Sequence, residues 1–301
     1  MRIVIALGGN ALLHHSDRGE ASIQQHHVRA AALAIAPLAR EHHLVLCYGN
    51  GPQVGMLAAE SAADTDLAYP FPLDTLGAQT QGMIGYWLAQ ELANAGVTAP
   101  IAVVLTQAVV DPYDATFQVP TELIGPGYSQ DLAEQLKAER GWLMGVDELG
   151  WRRLVASPEP RSFIEMSTIA KLIEHGVLVI CAGGGGVPVI RDAAGLHGVE
   201  AVVDKDFAAA MLAIECDADR LVVLTDVEAV SRDFGTPRQS PIEAATVAEL
   251  RELTFPAGSM GPKVEACIRF VNRTGRPANI GALAGARDVV AGRAGTTILA
   301  R

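Results

Sequence analysis

A chain of 301 residues that is half apolar and only 19% charged carries enough hydrophobic side chain to bury a substantial core, and it reads as a globular enzyme. A formal charge of -11 excludes a general nucleic-acid surface, which needs clustered Lys and Arg. No apolar run reaches the roughly 18 residues of a membrane-spanning helix, so no membrane partner is expected.

The first apolar run, 3–7, has the length of a strand; it is too short for a signal peptide and has no cleavage-site pattern, which points to a cytoplasmic location. Helical spacing follows over 22–40, a strand-like run at 44–48, a helix over 73–95 and a strand at 101–105. The stretch 111–160 then breaks the rhythm with Pro, Gly, Trp and charge, and is expected to protrude as a small subdomain or lid; a surface excursion without a role is the alternative. Alternation resumes with a helix over 167–174, a strand at 177–181, a helix over 207–214, a strand at 221–224 and a helix over 262–272. Such a pattern predicts an α/β fold: a three-layer αβα sandwich around a mainly parallel sheet, in one unit spanning 1–301. Cys47, Cys181, Cys216 and Cys267 lie far apart in apolar segments and read as buried free thiols.

Ligands of an open α/β sheet gather at the carboxyl ends of its strands. Three strands of this chain run into glycine there: Gly8-Gly9-Asn10-Ala11, Gly49-Asn50-Gly51-Pro52-Gln53-Val54-Gly55 and Gly183-Gly184-Gly185-Gly186. Each alone reads as a tight turn. Together they suit an anion held by backbone N–H groups and helix N-termini, the means open to a chain with few cations. No Gly-x-x-x-x-Gly-Lys-Ser/Thr stretch occurs, which disfavours a P-loop. The second loop is a loosened dinucleotide fingerprint, but it follows the second strand, not the first, and no strand ending in an acid follows it at the distance a ribose partner needs.

Two lysines stand at helix starts, Lys205 in Asp204-Lys205-Asp206 and Lys263 in Gly258-Ser259-Met260-Gly261-Pro262-Lys263. The macrodipole disfavours a cation at that end, so an anion bound between lysine and dipole accounts for both; a solvent-facing ammonium is the simpler reading of either. Asp206 reads equally as a helix cap or as an organiser of the lysines, and Thr225-Asp226 as a nucleotide contact or a turn. The pairs His14-His15, His26-His27 and His42-His43 lack carboxylates at ligand spacing, and no protein-held metal is assigned. Tyr86-Trp87 reads as core or as a subunit contact.

As a set, Ala6-Leu7-Gly8-Gly9-Asn10-Ala11, the loop 49–55, Gln81-Gly82-Met83-Ile84-Gly85-Tyr86, Asp204-Lys205-Asp206 and the segment 258–263 resemble the carbamate kinases of the amino acid kinase family, and the likeness runs from the first strand to the last. The resemblance implies a homodimer and small-molecule substrates. The reaction would be reversible phosphoryl transfer between ATP and carbamate, giving ADP and carbamoyl phosphate, with Mg2+ held mainly through the phosphates; run in reverse it would form ATP, as in the breakdown of arginine. It puts Gly8, Gly9, Asn10, Gly49, Asn50 and Gly51 around the carbamoyl and transferred phosphoryl groups. It further makes Lys205 and Lys263 the phosphate cations, Asp206 their organiser, and Thr225, Asp226 and Met260 neighbours of the nucleotide.

Two positions depart from the family pattern. Tyr48 stands where the family has His, a tolerable change if the ring faces the core. Glu122, in Pro120-Thr121-Glu122-Leu123-Ile124-Gly125-Pro126, stands where the family has a lysine thought to reach the active site. A unit charge of the wrong sign at 4 Å costs about 4 kcal/mol at intermediate dielectric. Either Glu122 turns away, or Arg152 or Arg153 substitutes for the lysine, or the chain is a weak, mainly nucleotide-binding relative or a kinase for another small carboxylate or carbamate acceptor.

Overall fold

The structure, a computed structural model, describes every residue except 10, 11, 14–16, 18, 148 and 257. The chain opens with β1 (Arg2–Leu7), α1 (Ala21–Ala39), β2 (His43–Tyr48), α2 (Gly51–Ala63), α3 (Leu73–Asn94), β3 (Ile101–Val103) and β4 (Gln107–Val110). It continues with β5 (Glu122–Tyr128), α4 (Gln130–Arg140), β6 (Leu143–Asp147), β7 (Gly150–Val155), β8 (Pro160–Phe163), α5 (Met166–Glu174), β9 (Leu178–Ile180), β10 (Val187–Asp192) and β11 (Gly195–Gly198). The remainder is α6 (Lys205–Glu215), β12 (Arg220–Thr225), β13 (Ser231–Arg232), β14 (Ser240–Pro241), β15 (Ala244–Thr246), α7 (Val247–Arg251), α8 (Met260–Thr274), β16 (Ala278–Ala282), α9 (Ala286–Val290) and β17 (Thr296–Leu299).

Eight strands form the central sheet in the order β15-β17-β16-β12-β1-β2-β9-β3, parallel except where β17 runs against β16. Its middle strands are apolar throughout because both faces are covered. In β1, Val4 and Ala6 join the core under α5, α6 and α8, while Ile3, Ile5 and Leu7 join the core under α1, α3 and α9. Alternate residues of one strand thus serve two layers, which is the three-layer sandwich expected from the βα alternation.

β3 stops at Val103, two residues short of the apolar run. There the buried Gln81 amide exchanges hydrogen bonds with Thr106: its Oε1 accepts from the Thr106 N–H at 2.9 Å and its Nε2 donates to the Thr106 carbonyl at 3.0 Å. A polar side chain replaces the ladder, and the chain turns into β4 of a second sheet, β11-β10-β4-β8.

Within 111–160, a separate antiparallel sheet β5-β7-β6 with α4 beside it stands on α2. A Cβ on Gly55 of α2 would lie 2.4 Å from the Gly125 Cα and N, so only glycine lets helix and strand approach this closely. Arg152 holds the base of the sheet, its Nε donating to the Gly125 carbonyl at 3.0 Å and its Nη groups to the Leu123 carbonyl at 3.1 Å and to Asp147 at 2.8 Å. Arg153 donates to Glu200 at 2.7 Å and lies over the Trp142 ring, and the other Glu200 oxygen accepts from the Leu73 N–H that opens α3.

Candidate active site

β1 pairs with β12 on one side and β2 on the other. Chain direction through the sheet therefore reverses about β1, and its carboxyl end is a topological switch point. Parallel hydrogen bonding continues one residue beyond the strands: the Gly8 N–H donates to the Leu224 carbonyl at 2.8 Å and the Gly49 N–H to the Leu7 carbonyl at 2.9 Å. These bonds bring Gly8, Gly49 and Thr225 level with one another. A Cβ on Gly49 would stand 2.9 Å from the Gly9 N and 2.8 Å from the Lys205 Cδ, so two bare backbones touch while the lysine stem crosses over them. Gly51 begins α2; Asn50 does not cap that helix, because its amide donates to the Thr80 hydroxyl at 2.7 Å. With no side-chain cap, the first amides of α2 are left available to an anion.

The third glycine loop has a different duty from the one its composition suggested. Cβ atoms on Gly183 and Gly184 would fall 2.5 Å from the Tyr48 hydroxyl and 2.2 Å from the Asn50 amide nitrogen, so these glycines make room for the second loop. Tyr48 is buried, with its hydroxyl donating to the Gln81 carbonyl at 2.8 Å, and faces the core as its tolerance requires.

Opposite the loops, Asp204 caps α6 by accepting from the N–H groups of Asp206 at 2.7 Å and Phe207 at 3.4 Å. The next residue, Lys205, and Lys263 in the first turn of α8 both reach one oxygen of Asp206, at 3.1 and 3.2 Å. The lysine side chains are 16% and 13% exposed and the Asp206 side chain 2%, so the ions interact with little water between them. The second Asp206 oxygen is buried without a hydrogen-bond partner. Burial pushes the Asp206 carboxyl up, but Lys205 and then Lys263 more than reverse it and hold it below the usual carboxylate range. Asp204 is raised by burial and by Asp206; Lys205, which burial would lower, is raised by Asp206 and Asp204. One carboxylate thus offsets two cations that the dipoles of α6 and α8 repel.

The remaining expected residues fall around this centre. The buried Thr225 hydroxyl donates to Asp226 at 2.9 Å at the end of β12, beside Gly8. Met260 opens α8, half-buried against the same core cluster as Phe207. Asn10 lies outside the described residues. Asp204 and Thr80 were not singled out from sequence: an acid before a helix is the signal for the first, and nothing local signals the second. Among the described residues no group of three or more His, Cys, Asp or Glu is placed to hold a metal. A concavity of about 210 Å3 at the opposite end of the sheet, lined by 39–44, 99 and 176–178, contains none of these groups.

Glu122 does not turn away. It begins β5 opposite Val155; Ala156 bridges to Ala201 and its carbonyl accepts from the Val202 N–H at 3.0 Å, three residues before Lys205. Burial and then Asp204 raise its carboxyl, against the opposing pull of Lys205, Arg152 and Lys263. Neither arginine takes a lysine's place: Arg152 is occupied by Asp147 and two carbonyls, Arg153 by Glu200 and Trp142.

Residues 1–281 match the amino acid kinase family. The chain is 49% identical to a carbamate kinase of Rhizobium meliloti, covering 99% of this chain and 93% of that protein, and 47% identical to one of Haemophilus influenzae over 99% and 96%. A solved carbamate kinase of Giardia lamblia bound to AMP-PNP superposes with a TM-score of 0.91 at 37% identity, covering 99% of this chain and 98% of that one.

Proposed function

This chain belongs to the amino acid kinase family and to the carbamate kinases within it, and from that premise we propose that it catalyses reversible phosphoryl transfer between ATP and carbamate. The observation that carries the reading is the pair of lysines sharing Asp206 across from the Gly8-Gly9 and Gly49-Asn50-Gly51 backbones. Carbamate is already an anion, so no general base is needed; the barrier falls by alignment and by charge stabilisation of the transferred group. Asp206 holds the two ammonium groups together in the free enzyme. Lys205 and Lys263 then bind phosphate oxygens, while the glycine backbones and the N-terminus of α2 orient the acceptor with Asn50. Thr225, Asp226 and Met260 flank the nucleotide.

Magnesium fits as an ion carried by the nucleotide phosphates, since Asp204 is spent on a helix cap and Asp206 on the lysines; bound there it would neutralise phosphate charge. Within the same reading, residues 111–160 act as a lid on a single-domain enzyme in the cytoplasm; no helix among the described residues is long and apolar enough to cross a membrane. A homodimer is supported by the edge of the sheet at β3, where Val103 of the strand, Leu105 just beyond it and Tyr86 of the neighbouring α3 are 39%, 48% and 56% exposed. The decisive test is ATP formation from ADP and carbamoyl phosphate with Mg2+ by purified protein and by Lys205→Ala. Turnover lost in the variant supports the reading, and a silent wild type rejects it.

A further inference from the structure

Charge at the site does not balance once a phosphate arrives. In the free protein three carboxylates, Asp204, Asp206 and Glu122, face two lysines, and both lysines are already on Asp206. Asp204 spends its oxygen on the first amides of α6 and Asp206 is fixed between Lys205 and Lys263. Glu122 alone has no hydrogen-bonding partner for its carboxylate among the described residues, although it is half-buried. It cannot swing out easily, because Arg152 grips the carbonyls of Leu123 and Gly125 next to it and Gly125 is pressed on Gly55. A bound polyphosphate would draw the lysines to itself and leave Glu122 facing like charge in a site of low dielectric.

We propose that Glu122 serves the reaction as a neutral acid: it takes up a proton as nucleotide binds and donates a hydrogen bond to a phosphate oxygen held near Lys205 and Lys263. This rests on the reading of function above. The proton comes from solvent, sits on one Glu122 oxygen while phosphate is bound, and returns to solvent on release, so turnover as a whole consumes none. The groups facing Glu122 are Asp204 before α6, Lys205 on α6, Lys263 on α8 and Arg152 on β7; burial and Asp204 already push its carboxyl upward before any ligand binds. A carboxylic acid kept neutral by its surroundings is an effective donor to an oxyanion.

The test is calorimetric titration of the whole protein with AMP-PNP and Mg2+ in buffers of different protonation enthalpy, over a range of pH, for wild type and Glu122→Gln. Glutamine is the shape of the protonated acid and a permanent donor. The wild type should take up more protons than Glu122→Gln, approaching one per site, and its affinity should fall relative to the variant by up to about tenfold per pH unit above neutrality. Binding with equal proton uptake in the two proteins overturns the inference and leaves the assigned reaction standing. No binding by either protein overturns the reading of function, and this inference with it.

Discussion

Two parts of the molecule handle charge in opposite ways. At the strand ends, Lys205, Lys263 and Asp206 are almost dry, and one Asp206 oxygen serves two cations while the other serves none. In the excursion, the two arginines of β7 are satisfied: Arg152 by a carboxylate and two carbonyls, Arg153 by Glu200 and the Trp142 face. Saturated charges fix a structure, whereas a centre with a shortfall of partners is prepared for a ligand that supplies them. Chemistry thus belongs to the first region and, Glu122 apart, placement to the second.

The largest effect that bears on this division is Lys205→Ala, expected to lower the rate of ATP formation by about 10²- to 10³-fold or more, the cost of one lost transition-state donor. Loss confined to KM would break the assignment. Next, Asp206→Asn removes the carboxylate that two buried cations share and should cost on the order of 3 kcal/mol in denaturant unfolding. Its pH dependence follows from a depressed folded value: the contribution is present above the unfolded carboxyl value, roughly 4, and is lost as pH falls through the folded one. Acid unfolding should therefore differ between wild type and variant mainly above pH 4.

Gly55→Ala places a methyl group against the Gly125 backbone and should destabilise by about 1–3 kcal/mol, with a change in the emission of Trp142, which lines the cleft beside both glycines. Glu122→Gln works in the other direction. The folded carboxyl is raised, so ionising it above the unfolded value disfavours folding; the variant should melt higher than wild type at pH 7, and the gap should close below about pH 4. Smallest is Glu200→Gln, which loosens an ion pair that is 48% exposed on the Glu side and should cost about 1 kcal/mol or less. Amides of β7 should then exchange faster while kcat is retained.

The sandwich was legible because its strands are apolar on both faces and its helices carry apolar stripes, signals that need no tertiary information. The lysines were legible as oddities, cations placed where a helix dipole repels them, and Asp206 as a helix cap or as their organiser. That both lysines meet one Asp206 oxygen was not, since Lys263 lies 57 positions from Asp206 and only the packing of α6 on α8 joins them. Equally hidden was the duty of the third glycine loop: a run of glycines looks the same whether it makes room for a ligand or for Tyr48 and Asn50. The hold of Arg152 on β5 was hidden too, because a guanidinium chooses among carbonyls that sequence does not place.

The four cysteines have a practical consequence. All are buried and free, and burial pushes the thiols up, Cys47 and Cys216 to about 12. Attack on a disulfide reagent requires thiolate and access, and the native fold withholds both. Each sulfur therefore reacts only when the layer around it opens. Cys47 sits in the sheet, Cys216 follows the end of α6 and Cys267 lies within α8, so labelling rates resolved by position form a set of built-in clocks that time the opening of separate layers without any added probe.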